Sequence, residues 1–188
     1  KLKNLNLGGT KITSLPSDIT TLSELVVLNI GRCSKLTSLP ENIGDLSQLE
    51  QLDMNNSGVE ILPEGFGRLT GLKSLNISYC GALKTLSQDF GNLRNMTSFN
   101  MVSCAALESL PESFGDLIQL TTLSLSRCES LVSLPESIGK LTGLTSLDLS
   151  NCKSLQTLPS SISKLSNIKE LSMSSCASLS SLPETVAD

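Results

Sequence analysis

The sequence predicts an α/β repeat, a solenoid made from one short unit copied along all 188 residues. Two observations predict it. Cysteine occurs six times, at Cys33, Cys80, Cys104, Cys128, Cys152 and Cys176, and the last five stand 24 residues apart. The gap from Cys33 to Cys80 is 47 residues, one period of 24 plus one of 23, with Ser57 at the intervening place. Around those positions the apolar residues fall in one frame, L-x-x-L-x-L-x-x-C-x-x-L-x-x-L-P-x-x-I-G-x-L-x-x.

Leu120, Leu123, Leu125, Cys128, Leu131, Leu134, Pro135, Ile138, Gly139 and Leu141 make one copy. Units begin at Leu2, Leu25, Leu49, Leu72, Met96, Leu120, Leu144 and Ile168, so about eight repeats of 23–24 residues form a single domain over 1–188. The opening L-x-x-L-x-L alternates apolar and polar residues, which predicts a half-buried strand. The C-x-x-L-x-x-L-P stretch turns the chain. Proline suits the first position of a helical turn, where its missing N–H would have no partner. Ile138 and Leu141, three apart, then give a short 3-10 or α turn one apolar face. One unit cannot bury its leucines alone, and stacked units share a continuous core. The expected fold is a right-handed leucine-rich-repeat solenoid, with a parallel sheet on the concave side and short 3-10 or helical turns on the convex side. Eight strands at ~4.8 Å give a sheet roughly 35 Å wide.

Gly44, Gly67, Gly91, Gly115 and Gly139 recur after the Ile or Phe of the helical turn, which implies either positive φ or close backbone approach. Thr20 and Ser163 take that place in two units. Ser87 replaces the proline of the fourth unit, and Met96 and Phe99 replace leucines in the fifth, so that neighbourhood is expected to be the least regular. No polar terminal caps are visible. The chain stops at Asp188, just after Val186, part-way through a return turn. This predicts a fragment whose ends are covered in a parent protein or by end-to-end association.

Composition narrows the function. The chain has no His, which removes Ser-His-Asp and Cys-His nucleophilic sites and all His-ligated metal sites. The formal net charge is −4, with one Tyr, four Phe and no Trp. That composition offers neither a basic footprint for phosphate nor a stacking platform, so no nucleic-acid partner is expected. No apolar run approaches 18 residues, and the repeat is already under way at Leu2, so neither a membrane span nor a signal peptide is expected in this stretch. No cofactor, metal or catalytic constellation is evident, and the chain reads as non-enzymatic.

The cysteines allow three readings. A disulfide ladder is within reach on distance alone, but inward-pointing side chains in register do not supply the ~90° torsion a disulfide needs. A zinc site needs four thiolates around one point rather than in a row. The reading that remains is a structural cysteine ladder, each thiol small, buried at a strand-to-turn corner and aimed at a backbone carbonyl. Its members are Thr10, Cys33, Ser57, Cys80, Cys104, Cys128, Cys152 and Cys176, with Thr10 and Ser57 supplying hydroxyls. Six unpaired thiols imply a reducing, intracellular (cytoplasmic) setting. The sequons at Asn55, Asn76 and Asn95 are no more than a chain rich in Asn, Ser and Thr contains by chance.

Two turn lengths occur. A long form with Cys runs Gly31-Arg32-Cys33-Ser34-Lys35-Leu36-Thr37-Ser38-Leu39-Pro40. Short forms with Thr or Ser run Gly9-Thr10-Lys11-Ile12-Thr13-Ser14-Leu15-Pro16 and Ser57-Gly58-Val59-Glu60-Ile61-Leu62-Pro63. This alternation, followed by Leu-Pro-Glu-x-Ile-Gly-x-Leu, resembles the leucine-rich-repeat domain of plant intracellular nucleotide-binding disease-resistance receptors, especially those with a TIR domain. The resemblance covers the whole chain. Related Leu-Pro-x-x-Ile repeats occur in intracellular Ras-associated scaffolds and in protist and bacterial repeat proteins. The Leu-x-Gly-x-Ile-Pro signature of plant cell-surface receptors is missing. The chain has no phosphate-binding loop, so the resemblance implies a sensor or autoinhibitory module of an innate-immune-type receptor. Such a module binds a protein ligand or neighbouring domains of its own chain.

A partner would meet the non-leucine positions of the sheet. One column is Asn6, Asn29, Asp53, Asn76, Asn100, Ser124, Asp148 and Ser172; the next is Gly8, Gly31, Asn55, Ser78, Val102, Ser126, Ser150 and Ser174. Tyr and Arg are enriched among binding hot spots, which singles out Arg32, Tyr79 and Arg127 as anchors. Asp53 and Asp148 would tune the charge, with Val102 beside them. The Asn/Asp column could instead be a hydrogen-bond ladder spanning the sheet without a ligand.

Overall fold

Eight three-residue strands form one parallel sheet in sequence order. They are β1 Asn4–Asn6, β2 Val27–Asn29, β3 Gln51–Asp53, β4 Ser74–Asn76, β5 Ser98–Asn100, β6 Thr122–Ser124, β7 Ser146–Asp148 and β8 Glu170–Ser172. The computed structural model describes residues 1–184; Val186 and the stop at Asp188 lie outside the described residues. Between strands run seven 3-10 turns, η1 Ser17–Thr21, η2 Ile43–Asp45, η3 Phe66–Arg68, η4 Gln88–Asn92, η5 Glu112–Asp116, η6 Glu136–Lys140 and η7 Ser160–Lys164. The result is the leucine-rich-repeat solenoid that the periodicity predicts.

Register follows from the repeat. Leu5, Leu28, Leu52, Leu75, Phe99, Leu123, Leu147 and Leu171 stand opposite one another across the sheet. Every one of them from Leu28 to Leu147 is buried, whereas Leu5 and Leu171 on the edge coils are half-buried. Because side chains alternate faces along a strand, Ser124 should tolerate what Leu123 cannot. Leu123→Ala is expected to cost ~2–5 kcal/mol and Ser124→Ala under ~0.5 kcal/mol. Equal losses in urea denaturation would contradict this register.

The recurrent glycines have one cause. None has positive φ among the described residues, so the first of the two readings falls away. A Cβ on Gly91 would lie 2.1 Å from the Ser113 carbonyl oxygen, and one on Gly115 2.2 Å from that of Ser137. Each coil's turn thus rests directly on the backbone of the next. Thr20 is tolerated because the next coil answers it with Asn42, whose Nδ2 donates to Thr20 Oγ1 at 2.9 Å. Gly91→Ala must push two coils apart and should cost ~1–3 kcal/mol, readable as a lowered urea midpoint.

The neighbourhood of Ser87, Met96 and Phe99 is as regular as the rest, contrary to the sequence-based expectation. Ser87 precedes η4 at φ −68°, ψ 158°, matching Pro111 before η5 at φ −70°, ψ 155°. Its hydroxyl also bonds the Asp89 carboxylate. The shorter turns are η2 and η3, entered through Asn42 and through Gly65 at φ 82°. Phe99 fills its leucine place by leaning on Phe90, with centroids 5.2 Å apart.

Candidate protein-binding surface

The sheet's hydrogen-bond ladder runs past the ends of the assigned strands. Arg32 N–H donates to Asn55 O, Asn56 to Ser78 O, Tyr79 to Val102 O, Ser103 to Ser126 O and Arg127 to Ser150 O, all at 2.6–2.8 Å. These donors form one column at strand spacing, the residue before each ladder cysteine or, for Asn56, before Ser57. Every one has positive φ: Arg32 60°, Asn56 51°, Tyr79 61°, Ser103 61°, Arg127 62°, Asn151 61° and Ser175 61°, with Gly9 at 74°. That conformation lets the chain turn inward sharply enough for the next side chain to enter the core. Gly9, Asn56 and Asn151 were the sequence signal for it, since Gly and Asn accept left-handed backbone most readily.

Each thiol completes this corner. Cys33 Sγ donates to Leu7 O at 3.2 Å, Cys80 to Met54 O at 3.2 Å and Cys104 to Ile77 O at 3.1 Å. Cys128 donates to Met101 O at 3.3 Å, Cys152 to Leu125 O at 3.2 Å and Cys176 to Leu149 O at 3.1 Å. The acceptor is always the carbonyl six places into the preceding unit. Thr10 and Ser57 differ from the cysteines. Their hydroxyls meet the following coil's sulfurs, Cys33 at 3.5 Å and Cys80 at 3.3 Å. All six cysteines are free. Burial, reinforced by neighbouring thiols, pushes Cys128 and Cys152 up to about 12, and burial moves Cys80, Cys104 and Cys176 in the same direction. The thiolate is the reactive form. A thiol reagent added to native protein should therefore find few groups, half-buried Cys176 first, and all six after denaturation. Six missing thiols in non-reducing denaturant would mean that they are paired.

The Asn/Asp column is local rather than sheet-spanning. Asn6, Asn29, Asp53, Asn76, Asn100 and Asp148 each accept, through Oδ1, the N–H two residues on, at 2.9–3.1 Å. These are Asx turns that fix the approach to the corner. Asp53 Oδ1 also takes Asn55 Nδ2 at 2.7 Å, and Asp148 Oδ2 takes the Ser124 hydroxyl at 3.5 Å. Both carboxylates therefore have structural duties as well as charge.

The structure brings Arg32 and Asp53 together in an open recess of about 350 Å³ with Asn6, Asn29 and Asn55. Gly31 leaves it free, since a Cβ there would lie 2.5 Å from Asn55 Nδ2. Val102 and Asp148 share a second open recess with Asn100 and Ser124. Tyr79 and Arg127 line neither and stand exposed on the rim, Tyr79 at 57%. Among the described residues no group of His, Cys, Asp and Glu could hold a metal ion, and no helix is long and apolar enough to cross a membrane.

A stacked solenoid with an extended, polar, open sheet face is an interaction scaffold. The chain belongs to the leucine-rich repeat proteins: residues 1–114 match the family described as leucine-rich repeat region, and 119–141 and 143–165 match single leucine-rich repeats. No curated protein matches it in sequence. Among solved structures it is similar to the leucine-rich repeat domain of the type III effector XopL, with TM-score 0.73 and 26% identity, covering 98% of this chain and 72% of that one. A Leptospira interrogans leucine-rich-repeat protein aligns with TM-score 0.67 and 24% identity over 93% of this chain and 55% of its own. Toll, in a Drosophila Toll–Spätzle complex, gives TM-score 0.72 and 22% identity over 93% of this chain and 27% of that one. The last two likenesses speak to fold alone. Leucine-rich repeat domains generally bind protein partners, and that is the function the family assigns.

Proposed function

We propose that the chain is a non-enzymatic sensor or autoinhibitory repeat region of an intracellular innate-immune-type receptor, working in the cytoplasm. It binds a protein ligand, or neighbouring domains of its own chain, on the sheet and its rim. The observation that carries the recognition role is the exposed column of Arg32, Tyr79 and Arg127. These side chains have no partner within the described residues, yet a rigid ladder holds their backbone. Exposed Arg and Tyr on a fixed frame are what binding hot spots are made of. The cytoplasmic reading is supported by six free thiols of which five are fully buried. The receptor reading draws on the alternation of Cys-long and Thr/Ser-short corners. A second reading, a bacterial or protist repeat protein acting on a partner protein, is favoured by the 26% identity to an effector's repeat domain; a free-standing scaffold of the Ras-associated kind stands beside it.

Displayed protein libraries selected against the full chain should yield binders that lose at least tenfold in affinity for the Arg32→Ala, Tyr79→Ala, Arg127→Ala triple variant. Binders that hold both forms equally would move the interface off this rim.

A further inference from the structure

Three long side chains stand where the backbone least favours them. Left-handed φ strains residues other than Gly and Asn, and such strain persists chiefly where it serves a function. The same column shows shorter alternatives at similar φ, Gly9, Asn56 and Asn151 with the least strain and Ser103 and Ser175 beside them. Arg32, Tyr79 and Arg127 are thus not needed to make the corner. They also occupy alternate coils, the second, fourth and sixth, with short polar Asn56 and Ser103 between them. Their shared backbone conformation sets all three at the same place on alternate coils of the ladder.

The ladder sets their spacing. At ~4.8 Å per strand, alternate coils lie ~9.6 Å apart, so the outer two arginines are ~19 Å apart. A polyproline-II segment has three residues per turn and rises ~3.1 Å per residue, so one face repeats every ~9.3 Å and spans ~18.6 Å over six residues. An α-helix repeats a face every seven residues, ~10.5 Å, and overshoots the span by ~2 Å. A β-strand repeats a face every ~6.8 Å and misses the step altogether.

We propose that Arg32, Tyr79 and Arg127 form one contact line for a polyproline-II segment with carboxylates six residues apart and a proline midway. The proposal rests on the reading of this rim as a protein-binding surface. Each guanidinium takes a carboxylate in a forked, charge-assisted pair. The Tyr79 ring covers the central proline. Asn56 and Ser103 lie opposite the segment's backbone, which in this conformation makes no internal hydrogen bonds and seeks outside donors. Among the described residues Asp53 makes no ion pair with Arg32, and its Oδ1 serves the turn at Asn55.

Fluorescence anisotropy on the full chain tests this with labelled peptides of two glutamates flanking four, five or six prolines, and an alanine-based helix with glutamates fourteen apart. The five-proline peptide should bind at least tenfold more tightly than the other three. Tyr79→Asn should weaken it at least tenfold while raising the urea midpoint, because it relieves strain. The Arg32→Gln, Arg127→Gln double variant should weaken it further and respond little to added salt. Equal binding at all spacings, or a preference for the helix, with loss in the variants would overturn the polyproline geometry and leave the rim as a recognition surface. Five-proline binding that the variants leave unchanged, or no binding of any peptide, would overturn the contact line, while the rim itself stands or falls with the selected protein binders.

Discussion

Replacing Phe90 with alanine should remove ~3–5 kcal/mol of stability, about a fifth or more of what a domain usually has. The ring sits between Phe66 and Phe114, at centroid distances of 6.1 and 6.2 Å with planes within 2° of parallel, and it touches Phe99 at 5.2 Å. All the phenylalanines of the chain therefore meet in one cluster across the third to fifth coils. Alanine would open a cavity that three coils line and would break three ring contacts at once. Urea denaturation of Phe90→Ala beside Phe90→Leu separates the two contributions. Leucine keeps most of the volume and should lose clearly less. A loss below ~1 kcal/mol for alanine would mean that the rings are not packed as described.

Alkali should be nearly as damaging. The unfolded thiol value is 9.0, and Cys128 and Cys152 rise to about 12 in the fold, with Cys104 also raised, because burial removes the thiolate from water. A folded value above the unfolded one stabilises the protein in full below about pH 9, and that stability drains away as pH climbs towards 12. One pH unit above the unfolded value, each fully buried thiol withholds about 1.4 kcal/mol. Together these three account for roughly 4 kcal/mol between pH 8 and 10. The comparison is with Cys128→Ala, Cys152→Ala protein, which keeps every other ionisable group. Its stability should fall less steeply with pH. Parallel curves for the two proteins would remove the thiols as the cause.

Much of this fold was legible because the repeat supplies its own comparison. Leucine spacing placed every strand centre, and recurrence of Gly91 and its equivalents signalled either positive φ or close approach, of which the second is the case. The buried, carbonyl-facing thiols followed from a small residue at a corner. What escaped was local backbone conformation, side-chain direction and the packing of rings between coils. Left-handed backbone at Tyr79 is hidden by a residue type that avoids it, and only Gly9, Asn56 and Asn151 in the same column hint at it. The Asx turns of Asp53 and Asp148 could be read equally as a ladder or as ligand-facing charge, since side-chain direction decides between them. Phe99 looked like a departure from the leucine frame. In three dimensions it is matched by Phe90 and Phe114, against which it packs.

Among the described residues, contacts between structural elements join each coil only to the coil before it and the coil after it. Held at its two ends and pulled, such a molecule behaves as a spool rather than as a block. Freeing one coil surrenders its share of the sheet and its turn while the rest of the stack keeps its grip. Each release pays out 24 residues of slack, ~80 Å of extended chain in place of ~4.8 Å of stacked height. The domain can therefore lengthen by many times its own width under load and still keep its middle coils, where the rings meet, wound to the last.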